Sequence, residues 1–112
     1  MNDRLRLTTI HAIEADVEEF HITKKKLQNI EECGRRSTLA TFNLVEQMQR
    51  TVEAIQTAYN ELPEQRRRWV ALRYWQKKDA YEAADEAGTT ERNARRWRYA
   101  FVSRIAELLG KW

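Results

Sequence analysis

The chain has 112 residues, a net charge of +3 and 33% charged residues, with only three Gly and one Pro. This length suits one small domain, alone or with a helical arm, and excludes a large multi-domain enzyme. An all-β protein needs turn-forming residues at every corner, so we expect an all-α fold instead. A single cysteine, Cys33, and two histidines, His11 and His21, offer neither an internal disulfide nor a zinc cluster, and no cofactor or metal is expected.

Charge along the chain indicates where a partner would bind. The first twenty residues are interrupted by charge every few positions, which matches neither a signal peptide nor a membrane span, so we expect a cytoplasmic protein without a membrane partner. Residues 1–60 hold eight basic against nine acidic side chains, whereas residues 61–112 hold twelve against eight. Polyanions such as nucleic acid suit the basic half, and a merely solvated helix face is the simpler alternative.

The first apolar pattern predicts an amphipathic helix. Its members follow the spacing of one helical face: Ile10, Ile13, Val17, Phe20 and Leu27. The segment 33–38 breaks this pattern with Gly34, the usual residue just past a helix end, and Ser37, a typical helix cap. We predict a turn or flexible loop there.

A second helical pattern follows without interruption: Val45, Met48, Val52, Ile55, Tyr59 and Leu62. Two helices with matching apolar faces can bury each other as a hairpin within the chain. The same faces can instead pair with a second copy as a coiled-coil arm that forms a homodimer. The sequence leaves both options open, and we assign residues 1–60 to this helical arm.

Residues 61–112 predict a C-terminal unit of at least three helical segments. Pro63 suits the first turn of a helix because its missing N–H would be unpaired there anyway, and this helix runs to about Trp75. Asp79 and Glu82 have the spacing of a capping box, in which each side chain bonds the other residue's backbone N–H. A short helix is predicted to follow.

The next segment has the pattern of a helix-turn-helix. Gly88 tolerates the left-handed conformation that a tight turn demands, and Thr90 caps a last helix that can run from Glu91 to Leu109. Small Ala84 lets the two helices approach closely. The core-facing positions of the motif are Ala83, Ala87, Ala94 and Trp97, and the inward face of the last helix is predicted to be Ala94, Trp97, Phe101, Ile105 and Leu108.

In such a motif the residues just after the turn meet base edges in the major groove. In this chain they are Thr90, Glu91, Arg92, Asn93, Arg95 and Arg96. Arg can form two bonds to guanine, Asn can do the same to adenine, and Glu can accept from the cytosine amino group. Four further residues suit phosphate contacts: Arg98, Tyr99, Lys77 and Lys78.

The C-terminal unit also resembles a known family. Leu62-Pro63-Glu64, Leu72-Arg73-Tyr74-Trp75, Glu82, Ala84 and Gly88 look like region 4 of bacterial sigma factors, a helix-turn-helix that reads the promoter −35 element. With the helix at 41–56 and the ending 105–110, the layout over residues 38–112 is similar to RinA and ArpU-type phage transcriptional regulators.

The resemblance implies a small activator that binds double-stranded DNA sequence-specifically and can contact RNA polymerase. The chain is too short for a complete sigma factor. Positions 83, 87 and 94 usually hold larger aliphatic residues in that family and are all Ala here, and position 89, often apolar there, is Thr. Trp97 is expected to refill the space, since several small residues against one large one can conserve core volume.

Two other functions stay open as alternatives. A DNA-recognition subunit of phage packaging, like a small terminase protein, would also join a helix-turn-helix to oligomerising helices. A polymerase-binding adaptor that never touches DNA would offer the basic helix to a protein instead. The acidic residues near the turn lack the His, Cys or second acidic cluster that catalysis would need, so we expect no enzyme.

Overall fold

The computed structural model describes residues 5–33 and 39–111, and the side chains of 5–30 and 42–111. The described residues form six α-helices and one π-helical turn, with no β-strand among them, so the predicted all-α class is confirmed. None of these helices is both long enough and apolar enough to traverse a bilayer. The turn or loop predicted at 33–38 falls outside the described residues after Cys33.

The first predicted helix is divided into α1 (Leu7–Glu18) and α2 (Phe20–Cys33). Glu19 separates them, with φ −88° and ψ 1°, outside the helical region. The prediction of a single continuous helix is therefore wrong. Val17 and Phe20 remain three residues apart across the break, so the apolar spacing gives no sign of the break. The predicted face is otherwise buried: Ile13, Val17, Phe20 and Leu27 are in the interior, and Ile10 packs against it.

The third helix, α3 (Leu39–Asn60), packs on α2 and also on the last helix of the chain. The helical hairpin is therefore formed within the chain. Ile55 is fully buried, whereas the other predicted stripe residues are only partly so, and Ala54 and Ala58 are buried beside it. Because α3 contacts two different helices, its buried surface is wider than the single predicted stripe.

The second half of the chain contains α4 (Glu64–Val70), the π-helical turn (Ala71–Trp75), α5 (Ala80–Glu86) and α6 (Glu91–Leu109). Pro63 stands one residue before α4, with φ −61° and ψ 157°. In the π-helical turn the N–H of Gln76 donates to the carbonyl of Ala71 at 2.8 Å, five residues back instead of four. The apolar spacing predicted the helix but not this change of pitch.

The hydrophobic core is continuous across the predicted boundary between residues 60 and 61. Ile13 and Val17 of α1 and Ile55 of α3 belong to the same buried cluster as residues of α4, α5 and α6. A polar bond also crosses it, since the Trp75 indole N–H donates to the Val17 carbonyl at 2.9 Å. The assignment of 1–60 and 61–112 to separate units stays a prediction, but the two ranges share one interior.

Most of the predicted inward face of α6 is confirmed. Ala94, Trp97, Phe101 and Ile105 are buried, but Leu108 is 37% exposed, so its predicted inward position is wrong. The second half of α6 instead buries a broader set: Val102, Ser103 and Ala106. Helices α1 and α3 both contact α6, and a helix covered on two sides buries residues that a single stripe does not include.

Candidate nucleic-acid interface

The α5–α6 connection is defined by two helix caps and one left-handed glycine. The Asp79 carboxylate accepts from the Glu82 N–H at 2.8 Å, and Gly88 has φ +78°. The Thr90 hydroxyl then accepts from the Asn93 N–H at 3.2 Å. Each residue satisfies a requirement of the local backbone, so the sequence determines where α5 ends and where α6 begins.

The predicted capping box is formed only in part. The N–H of Glu82 lowers the pKa of Asp79, and the adjacent Asp79 carboxylate raises the pKa of Glu82. The Glu82 carboxyl therefore lies against the Asp79 side chain, and the described hydrogen bonds contain only the Asp79 half of the box.

A side chain of α4 forms hydrogen bonds to the turn between α5 and α6. The Gln65 amide N–H group donates to the carbonyl of Ala87 at 2.9 Å and to that of Gly88 at 3.2 Å. These carbonyls follow the end of α5, where no further helical N–H is available to them. Gln65 therefore ties the turn to α4, a role that the sequence pattern did not indicate.

Small residues bring α5 and α6 together. Ala83, Ala84 and Ala87 on one side and Ala94 on the other are all buried, as predicted for the core-facing positions. Trp97 is buried as well, and its ring lies edge-on to Trp69 with the ring centroids 6.4 Å apart. The expected filling of the space beside the alanines by Trp97 stays a prediction.

Four residues form an exposed row along the first half of α6, which we call the basic stripe: Arg92, Arg95, Arg96 and Tyr99. Arg95, Arg96 and Tyr99 lie three, four and seven residues after Arg92, so the four residues share one helical face, and that face is exposed. No described side chain forms an ion pair with the three arginines. The Tyr99 hydroxyl accepts from the Leu5 N–H at 3.2 Å, which sets the N-terminal segment at the end of the stripe.

The other residues predicted to read bases lie in the first turn of α6. Thr90 and Asn93 are exposed and Glu91 is half-buried. The Asn93 side-chain amide donates to the Thr89 hydroxyl at 2.9 Å, so it already has a partner within the turn. The predicted base contacts are therefore adjacent in space, with Asn93 more constrained than the arginines.

Arg98 has a partner inside the chain. Its Nε and NH2 groups donate to the two carboxylate oxygens of Glu14 at 2.8 and 2.7 Å, and the Tyr74 hydroxyl donates to the same carboxylate at 2.6 Å. Burial of Glu14 raises its pKa, but the bonds from Arg98 and Tyr74 outweigh this effect, so the pKa lies below its usual range. This carboxylate, on α1, links α6 to the π-helical turn.

The predicted phosphate contacts at the start of α5 differ from each other. The Lys78 ammonium is 2.9 Å from a carboxylate oxygen of Glu86, and this contact raises the Lys78 pKa. Lys77 is exposed and has φ +55°, a left-handed conformation that is uncommon outside glycine. The phosphate roles of both lysines, and those of Arg98 and Tyr99, stay predictions.

A cavity of about 250 Å³ lies beside the basic stripe, and its lining is Trp69, Arg73, Ala80, Glu91, Ala94, Arg95 and Arg98. Three arginines and one acid surround it, which gives this edge of α6 a positive character.

No family model, curated protein or solved structure matches the chain. No group of three or more His, Cys, Asp or Glu side chains with metal-binding geometry occurs among the described residues.

Proposed function

We propose that this protein is a sequence-specific, double-stranded DNA-binding transcription regulator of the phage activator type that its sequence resembles. The observation that carries the proposal is the basic stripe. Arginines at positions 92, 95 and 96 project from the first half of a helix, without ion-pair partners among the described side chains. A solvated helix face needs no such concentration of one charge, whereas a helix lying in a groove between two phosphate backbones does.

The setting of the stripe supports direct contact with bases. The major groove of B-DNA is about 12 Å wide and admits one α-helix. A helix that enters it must be held at a defined angle by elements outside the groove. Here Gln65 holds the turn, the buried alanines hold α5 against α6, and Glu14 holds Arg98. The supporting contacts do not involve the side chains of Arg92, Arg95 and Arg96, which stay exposed to a ligand.

A selection experiment tests the proposal. Duplexes retained by the protein from a random pool are sequenced, and we expect an enriched motif together with an affinity that falls steeply as salt rises. Arg92→Ala and Arg96→Ala should each weaken binding to the selected duplex by about five- to 150-fold, the range for loss of a bidentate base contact. Arg50→Ala, on an exposed position of α3, is the matched control and should change affinity less than twofold.

Two results would contradict the proposal. If no duplex is enriched and the arginine variants behave like the wild-type protein, the stripe does not bind DNA, and a polymerase-binding adaptor becomes the better hypothesis. If the protein binds DNA but forms a ring of many copies in solution, DNA recognition in phage packaging replaces regulation. A monomer or homodimer agrees with a regulator.

A further inference from the structure

Glu14 and Arg98 form the one ion pair of the described residues that lies at the edge of the basic stripe. Arg98 follows Arg95 by three residues on α6, and both side chains line the same cavity of about 250 Å³. The Arg98 side chain is 40% exposed, whereas that of Glu14 is only 15% exposed. The guanidinium is thus near enough to the proposed DNA surface to serve it, yet it is directed to an internal carboxylate.

Contrary to the phosphate contact that the sequence predicts for Arg98, we propose that Glu14 withholds Arg98 from DNA phosphates and thereby limits the affinity of the protein for non-specific DNA. This inference rests on the proposed DNA-binding function. A carboxylate and a phosphate compete for the same fork of guanidinium N–H groups, and both can bind it with two parallel bonds. A phosphate contact strengthens binding to every sequence alike. Without it, the base contacts of the basic stripe contribute a larger share of the total affinity.

The structure keeps Glu14 in position for this competition. Its carboxylate accepts a third bond from the Tyr74 hydroxyl, and the neighbouring α1 residues Ile13 and Val17 are fully buried. Helix α1 therefore cannot swing away without exposing core side chains. An approaching phosphate would have to break two bonds at 2.7 and 2.8 Å, both to a charged carboxylate that is largely buried.

The test uses Glu14→Gln in the full-length chain and measures affinity for a duplex of random sequence over a series of salt concentrations. If Glu14→Gln frees Arg98 to neutralise one more phosphate, the variant should bind the random duplex about eightfold tighter at 0.1 M salt. The plot of log affinity against log salt concentration should be steeper by about 0.9. Affinity for the selected duplex should rise by the same factor or less, so the ratio of specific to non-specific affinity should not increase.

Glu61→Gln is the matched control. Glu61 holds Arg104 with the same two-bond geometry, at 2.8 and 2.9 Å, and its loss changes the net charge equally. Arg104 lies two turns beyond Arg96 on α6, away from the basic stripe. We expect this variant to change affinity for random DNA less than twofold. Equal tightening by Glu14→Gln and Glu61→Gln would overturn the inference, because net charge alone would then explain the result.

Two further variants keep the inference falsifiable. Glu14→Gln combined with Arg98→Gln should return random-duplex affinity to the wild-type value, and affinity that stays high would contradict the role of Arg98. If Glu14→Gln does not fold, Arg98→Gln alone decides: we expect affinity within twofold of wild type, and a loss of more than about threefold means that Arg98 already binds phosphate.

If the wild-type protein binds no duplex, the proposed function fails and this inference with it. If it binds and the folded Glu14→Gln does not bind tighter, only the inference fails.

Discussion

Replacement of Gly88 by alanine should destabilise the protein through backbone strain alone. Gly88 has φ +78°, a conformation that costs an L-residue about 1–2 kcal/mol. A Cβ at this position would meet the Gln65 Nε2 atom at 3.6 Å, an ordinary contact, so no steric clash adds to the cost. Alanine also restricts the unfolded chain, which returns about 0.4–1 kcal/mol. We expect a net loss of about 1 kcal/mol, or about 4 °C in Tm.

Urea unfolding of Gly88→Ala and of its matched control, Gly110→Ala, measures this loss. Gly110 caps the end of α6 with φ +68°, and a Cβ there would meet no atom within 4 Å, so it carries the same backbone strain without a neighbour. The two variants should lose similar stability, but only Gly88→Ala should weaken binding to the selected duplex, because Gly88 lies in the turn that directs α6. A Gly88→Ala protein as stable as wild type would refute the left-handed turn.

Three further predictions concern a core residue, a helix cap and the stability of the protein at acidic pH. Ile105→Ala should cost about 2–5 kcal/mol in urea unfolding and Leu108→Ala less than 1, since only the first is buried; equal costs would contradict the burial of α6. Asp79→Ala should cost about 1 kcal/mol and loosen the start of α5, seen as faster amide exchange at Glu82. Because folding lowers the Glu14 pKa, the Glu14 pair stabilises the protein above pH 4.5 and this contribution is lost as pH falls further; Glu14→Gln should flatten that acid dependence of Tm.

The features that the sequence predicts well are those governed by residues close to one another along the chain. A cap requires only Asp79 or Thr90 and an N–H three residues later, and Gly88 is the residue type that a left-handed turn demands. The basic stripe is similarly local, because helical spacing alone places its members on one face. These short-range requirements located the helices and the exposed arginines of the candidate site.

Contacts between distant parts of the chain could not be predicted in this way. Nothing in the spacing of α1 indicates that Glu14 meets Arg98, 84 residues later. The exposure of Leu108 follows from the way α1 and α3 cover α6, which a single helical pattern does not contain. The break at Glu19 leaves the apolar period unchanged, so only the three-dimensional structure reveals it.

The position of α1 against α6 has a consequence for how the protein is made. Helix α1 contacts α6, and its Glu14 pairs with Arg98 on α6, so these contacts form only after α6 has been synthesised. Contacts of such high sequence separation form late, because closing a long loop costs entropy before any contact rewards it. During translation the part of α1 that packs on α6 therefore stays uncovered until α6 has emerged. The buried core, which includes residues of α1 and α6, is completed only once α6 is present.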